Sequence, residues 1–325
     1  MGAMATALEA DASLEVIERR PMGMRPAVAW HQPIMVASVL EHLRPRHGAL
    51  IVDGTVGTGG HSLAILPSLP PDGRLIAVDR DRDALTLAEQ RLAEFAPHAR
   101  FLHGNYRHLP RLLSTLGITQ VDGILLDLGM SSLQVDRAER GFSFSKEGPL
   151  DMRMDSEQDV RADTLVNRLP AAELASMLAT LGEERYARRI AQRIVEARRR
   201  QVITTTGELA RLIAAAVPAS ARHGRLHPAT RAFQALRLAV NDELGSLAEL
   251  LEHLAALLKP GGRAVVLTYQ SLDDRLVKQA FVQGQRDGHW DVLTKKPLRP
   301  TAEEIAQNPR ARSAKLRAVQ RRADR

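Results

Sequence analysis

Four short apolar runs, each closed by an acidic residue or a glycine turn and each separated from the next by a stretch of helical period, constrain this chain more than any other feature. They are "ALIVDGT" (49–55), "GRLIAVDRD" (73–81), "ARFLHGNY" (99–106) and "VDGILLDLG" (121–129). Between them stand "HSLAILPSL", "ALTLAEQRLAEF" and "LPRLLSTL", and "HQPIMVASVLEHL" leads in as a helix. Strands that are apolar throughout are buried on both faces, and strands alternating with helices pair in parallel. The fold class expected is therefore α/β, with a doubly wound, mainly parallel sheet.

The alternation stops near Val135 and resumes only after Leu226. The intervening stretch is helical or irregular: "AAELASMLATL", "EERYARRIAQRIVEARRR" and "TTGELARLIAAAV" carry helical period, with Thr206–Gly207–Glu208 resembling a helix start. A long helix, "ATRAFQALRLAVNDELGSLAELLEHLAALL", is expected to break near Gly245, and "KPGGRAVVLTYQS" reads as a turn feeding a fifth strand. Residues 28–134 and 227–325 are thus expected to form the α/β domain, with 135–226 inserted as a helical subdomain. Residues 1–27 lack a sustained apolar period and read as a disordered extension.

In a doubly wound sheet the ligand sits beyond the carboxyl ends of the strands. The first run ends at Asp53 and opens into "DGTVGTGGHS", with Gly57, Gly59 and Gly60; the second ends at Asp79 and the fourth at Asp127. A phosphate-cradling P-loop requires Lys and Ser or Thr after its last glycine, where this chain has Gly60, His61 and Ser62. A carboxylate about twenty residues after the glycines suits the two hydroxyls of a ribose. A nicotinamide cofactor and S-adenosylmethionine share that geometry. Asp53 beside the loop repels a pyrophosphate but suits the amino group and sulfonium of S-adenosylmethionine. Each residue also has a plainer reading: Asp53 and Asp79 as helix caps, Gly57 and Gly59 as packing positions, His61 as a surface group. Asp127 is harder to dismiss, because a carboxylate ending the most apolar strand is costly unless paired.

Lys plus Arg outnumber Asp plus Glu by 45 to 38, for a net charge of +7, which favours a polyanionic partner. An aromatic content of 3% argues against a broad base-stacking platform, so phosphate and shape contacts must carry nucleic-acid binding. The run from Arg185 to Arg200, including Arg188, Arg189, Arg193 and Arg199, is equally a solvated face and an RNA-facing one. The absence of cysteine excludes thiolate nucleophiles and Cys-ligated metal centres; no metal is expected. No apolar stretch approaches the roughly 18 residues of a membrane span, and a cytoplasmic protein is the default.

The motifs "DGTVGTGGHS", "AVDRD", "DGILLDLGMSSLQVDRAERGFSF", "GPLDMRMD", "GEERYARRIAQRIV", "HPATRAFQALRLAVNDEL", "LKPGGR" and "NPRARSAKLR" together resemble the bacterial small-subunit ribosomal RNA cytosine-N4 methyltransferases. The resemblance runs from about His31 to Arg317, and "LLDLGMSS" followed by "ERGFSF" and "PLDMRMD" is its most specific part. It implies a class I methyltransferase that transfers a methyl group from S-adenosylmethionine to the exocyclic amine of a cytidine in the decoding region. The partner implied is the assembled small ribosomal subunit, with the inserted helices as its recognition part; a homodimer is compatible, and no membrane is involved. Carried over by position, the cofactor contacts are Gly59, Gly60, His61, Asp79, Tyr106, Asp127 and Gln134, with Asp79 on the ribose. Asp127, or the carbonyls of Leu128 and Gly129, would hold the target amine. The sequence departs from the family where Ser-Phe-His-Ser-Leu-Glu-Asp-Arg is usual: Thr268, Tyr269, Gln270, Ser271, Leu272, Asp273, Asp274 and Arg275 stand there. Gln270 can position a base by hydrogen bonding but cannot accept a proton as His would. A catalytically impaired, ribosome-associated protein is the alternative that this departure keeps open, and a dehydrogenase is the third reading.

Overall fold

The computed structural model describes residues 32–45, 49–222 and 227–323; the expected disordered extension lies outside them. The strands are β1 (Leu50–Asp53), β2 (Arg74–Asp79), β3 (Ala99–His103), β4 (Val121–Asp127), β5 (Leu258–Thr268), β6 (Trp290–Val292) and β7 (Lys315–Arg321). They form one sheet in the order β3-β2-β1-β4-β5-β7-β6, parallel from β3 to β5, with β7 antiparallel to both its neighbours. The first five match the sequence expectation. β6 and β7 extend the sheet beyond it.

The helices are α1 (Val36–Leu43), α2 (Gly60–Ile65), α3 (Arg82–Arg91), α4 (Leu109–Ser114), α5 (Ser132–Asp136), α6 (Ala162–Arg168), α7 (Ala171–Gly182), α8 (Ala187–Arg198), α9 (Thr206–Ala216), α10 (Ala219–Arg222), α11 (Thr230–Val240), α12 (Glu243–Leu257), α13 (Ser271–Arg286) and α14 (Ala302–Gln307). Alternate residues of each central strand point to opposite faces. Val52, Ile124 and Leu126 therefore join the cluster formed with α4, α12 and α13, while Ile51, Leu125 and Val265 join that formed with α1 and α2. Chain order reverses where β1 and β4 lie side by side, which opens a crevice outside their carboxyl ends.

Helices α6 to α9, between β4 and β5, make a core of their own, built from residues such as Leu174, Ile190, Ile194, Leu209 and Ile213. α9 starts where its sequence says, with the Thr205 side chain accepting from the Glu208 N–H. Phe233 and Leu236 of α11 belong to this core, so the helical layer continues through Val240, past the expected boundary at 226. The long helix breaks at Asp242 rather than Gly245, because Asp242 takes a left-handed backbone (φ 43°) and ends α11. Gly245 stays helical; a Cβ there would lie 2.5 Å from Asp242 Oδ1, so its smallness serves the break without being its site.

Asn241, just before this break, fastens the "PLDMRMD" segment to the α/β part. Its amide donates to Met152 O (2.8 Å) and accepts from Met154 N–H (2.7 Å), while its carbonyl accepts from Arg80 (2.8 Å). A buried amide with every group paired holds one conformation, and Met154 is thereby fixed over the crevice.

Candidate active site

A cavity of about 400 Å³ occupies the switch-point crevice. Gly57, Gly60, His61, Asp79, Tyr106, Asp127, Gln134 and Gln270 line it. Met154 and the Arg237–Glu243 pair close it from the helical layer. The structure thus gathers on one chain most of the residues that the sequence singled out.

Two of the expected cofactor contacts do not reach the cavity. Asp53 is buried beneath the glycine loop, where its carboxylate accepts from Ser62 Oγ (2.7 Å) and the Thr55 N–H (3.2 Å). Burial pushes its carboxyl up, with the Ser62 hydrogen bond acting against the shift. Asp53 is therefore a support of the loop and not a ligand contact. Gly59 adopts φ 82° at the start of α2, and a Cβ there would meet Leu92 Cδ1 at 3.2 Å. It turns the chain against α3, where any larger residue is strained.

Asp79 ends β2 with one oxygen accepting from the Gly57 N–H (2.7 Å) and the other from the Asp81 N–H (2.9 Å). These bonds join the loop to the strand and leave lone pairs for a diol. Burial raises its carboxyl to about 6 despite them. Tyr106 is buried with its hydroxyl 3.4 Å from Glu243 O, and burial pushes the phenol up to about 12, so it stays neutral. Gln134 is engaged at both ends: its amide donates to Asp81 Oδ2 (2.9 Å) and accepts from the Ser131 N–H (3.1 Å). It fixes the loop after β4 against the α3 N-terminus, where Asp81 also receives Arg140 (2.9 Å).

Asp127 stands at the tip of β4. The Thr55 hydroxyl accepts its N–H (2.6 Å), Tyr269 Oη donates to Oδ1 (2.7 Å), and His61 Nδ1 lies 3.4 Å from Oδ2. His61 Nε2 lies 2.9 Å from Ile34 O, an obligate acceptor, so the ring presents its Nε2–H there and Nδ1 to Asp127. Gln270 caps the start of α13; its N–H donates to Asp273 Oδ1 (3.0 Å), and the residue lines the cavity.

Sequence reasoning missed Thr55, Asp81, Arg237, Glu243 and Tyr269. All but Glu243's pairing with Arg237 depend on partners far off in sequence, although both members of that pair stand in "RLAVNDEL", one turn and a break apart.

The guanidiniums lining the cavity are already committed. Arg80 donates to Asn241 O, Arg237 pairs with Glu243 (2.7 Å) and Arg310 with Asp136 (3.1 Å). Acceptors, by contrast, remain in Asp79 and Asp127. That donor set disfavours a pyrophosphate and fits a ligand with a ribose diol, an ammonium and a sulfonium, as S-adenosylmethionine has. If Asp79 must be ionised to accept from the ribose, cofactor affinity holds steady above about pH 7 and falls about tenfold per pH unit below pH ~6. The same shift by itself withdraws stability from the fold as pH rises from the ordinary carboxyl value through about 6. Calorimetric titration across this range checks the first effect; Asp79→Asn should bind weakly with no acid limb.

The predicted RNA contacts lie elsewhere. Arg188, Arg189, Arg193 and Arg199 are exposed, the last just past the end of α8, whose inward face carries Ala187, Ile190, Ala191 and Ile194. None of the four has an ion-pair partner among the described residues. Arg198 in the same run differs, donating to Val166 O and Leu169 O (both 2.7 Å) at the end of α6.

Among known proteins, residues 28–322 match the MraW methylase family. The ribosomal RNA small subunit methyltransferase H of Syntrophotalea carbinolica is 49% identical over 313 residues, covering 92% of this chain and 100% of that protein. The proteins of the same name from Heliobacterium modesticaldum and Geobacter sulfurreducens are 46% and 48% identical, each match covering 90% of this chain and 98% of the relative. With an acceptor-lined crevice at the switch point of the sheet and a match that spans the sheet and its insertion alike, this chain belongs to the MraW methylase family.

Proposed function

We propose that this protein methylates the exocyclic N4 amine of a cytidine in the decoding region of small-subunit ribosomal RNA, with S-adenosylmethionine as methyl donor. The observation that carries the reading is the cavity at the ends of β1, β2 and β4, in which carboxylates offer acceptors while the guanidiniums are paired. Its chemistry agrees with the 46–49% identity to proteins named for this class of reaction.

Asp79 would hold the ribose hydroxyls, the Gly57–Gly60 backbone would follow the ligand closely, and Tyr106 would wall the base. Bound there, the cofactor supplies a methyl group made electrophilic by a sulfonium. The lone pair of the cytosine amine is conjugated into its ring, so the protein's part is to hold the N–H groups and let the nitrogen pyramidalise. Asp127 accepts one N–H at Oδ2 and takes the proton released as N4-methylcytidine forms; the carbonyl of Leu128 or Gly129 accepts the other. Gln270 donates to or accepts from the base edge without taking a proton. All these groups come from one chain, so a homodimer would leave the chemistry unchanged. The reaction belongs in the cytoplasm, where small subunits are assembled; no helix among the described residues is long and apolar enough to cross a membrane.

Labelled S-adenosylmethionine incubated with small subunits lacking the modification should yield N4-methylcytidine by nucleoside mass spectrometry. Cofactor binding without transfer, on particles that a relative methylates, would return the protein to the impaired-binder reading. The exposed face of α8 makes a separate expectation. If Arg188, Arg189, Arg193 and Arg199 meet phosphates, replacing all four with Gln reduces the slope of log affinity against log salt by about 3. Filter binding over a salt series measures it, and an unchanged slope makes these arginines an ordinary solvated face.

A further inference from the structure

Tyr269 is the side chain whose geometry outruns the function so far assigned. It lies in the turn between β5 and α13, partly buried, with its ring against Gly129: a Cβ on that glycine would stand 3.6 Å from Tyr269 Cδ2. The turn is held by Asp273, which accepts from the Tyr269 N–H (3.2 Å) and the Gln270 N–H (3.0 Å). The ring therefore has a fixed base and a fixed wall, and its hydroxyl reaches 2.7 Å from Asp127 Oδ1. Burial first, and then the Asp127 charge, hold the phenol well above its usual value, so it remains a donor.

The Asp127 side chain turns about two bonds, Cα–Cβ and Cβ–Cγ, from a backbone whose N–H donates to Thr55 Oγ1. Without a partner at Oδ1 the group is free to rotate, since such terminal torsions have broad wells. With Tyr269 donating, Oδ1 is engaged and Oδ2 is the oxygen beside His61, which itself lines the cavity.

We propose that Tyr269 is a positioning residue for methyl transfer, which locks the Asp127 carboxylate so that Oδ2 alone receives the amine proton. This rests on the N4-methyltransferase reading above. The step balances within that reading: the amine nitrogen gains the methyl group, the carbon–sulfur bond breaks toward sulfur, and the proton lost from nitrogen passes to Oδ2.

Tyr269→Phe removes the hydroxyl and keeps the ring. We expect kcat to fall about tenfold, with the KM for particles and the cofactor dissociation constant within about twofold of wild type. Asp127→Asn alone and Asp127→Asn with Tyr269→Phe should share one rate, because the hydroxyl acts only through the carboxylate. A second readout needs neither RNA nor turnover. The chain has three tyrosines, so 13C-tyrosine labelling gives three Cζ resonances, and that of Tyr269 should move in Asp127→Asn. Unchanged kcat in Tyr269→Phe, losses that add with those of Asp127→Asn, or an unmoved Cζ resonance would overturn the assignment while leaving the methyltransferase reading intact. Absence of N4-methylcytidine from the wild-type reaction would overturn the reading and the assignment together.

Discussion

Asp127→Ala lowers single-turnover methylation by about two orders of magnitude, the ~3 kcal/mol that loss of a well-placed active-site group typically costs. The expectation follows from what surrounds the carboxylate. Thr55 fixes its backbone, Tyr269 and His61 flank its two oxygens, and it is the strand-end carboxylate that borders both the cavity and the α13 turn. An alanine removes the acceptor and leaves the sheet untouched, because β4 is held through its backbone pairing to β1 and β5. Cofactor affinity should change much less than the rate, since Asp79 and the glycine loop are undisturbed. Rapid-quench measurement with saturating particles, together with calorimetry on the cofactor, separates the two. Near-normal single-turnover rates would remove Asp127 from the chemistry and leave the Leu128 and Gly129 carbonyls to hold the amine.

Glu243→Ala is expected to cost stability on a comparable scale. Arg237 Nε and Nη2 meet the two Glu243 oxygens at 2.7 and 3.1 Å across the left-handed break at Asp242, and both residues are almost wholly out of water. Removing one partner leaves an uncompensated buried charge, a loss of about 3–5 kcal/mol, whereas replacing both with apolar residues of similar size is often neutral. Urea titration of Glu243→Ala beside the double variant Arg237→Met with Glu243→Leu should therefore show a large loss in the first and a small change in the second. Equal losses in both would mean that shape, and not charge, holds α11 to α12. The double variant should still lose activity, because the pair borders the cavity.

The parallel half of this fold could be read from the chain because each strand is apolar throughout and each ends in a turn. β7 could not, for a physical reason: Lys315 and Arg317 look like surface residues until Asp274 is seen to accept from both, at 2.8 and 2.7 Å, from α13. β6 has three residues, too few to show a period. In the site, proximity in sequence misled as often as it helped. Asp53 stands nearest the glycine loop and serves under it; Asp79, twenty-two residues beyond Gly57, is the carboxylate that bonds to it. Gln134 has the right place but spends both amide ends on protein groups. Tyr269 stood out only as a tyrosine in the place of the family's usual phenylalanine; its meaning lies in a hydroxyl that reaches from the turn after β5 to the end of β4.

The placing of the insertion has a consequence for how the chain assembles. β4 ends at Asp127 and its neighbour β5 begins at Leu258, so the helical layer must emerge from the ribosome between two strands that share the centre of the sheet. Until β5 arrives, β4 is an open edge bearing Ile124, Leu125 and Leu126, a template on which another nascent copy could pair. Closing that gap through a flexible coil would carry the entropy of a very long loop. A prefolded insertion, held in its own core, shortens the effective span. The inserted helices would then act, early in the protein's life, as the splint that brings the two halves of the sheet together.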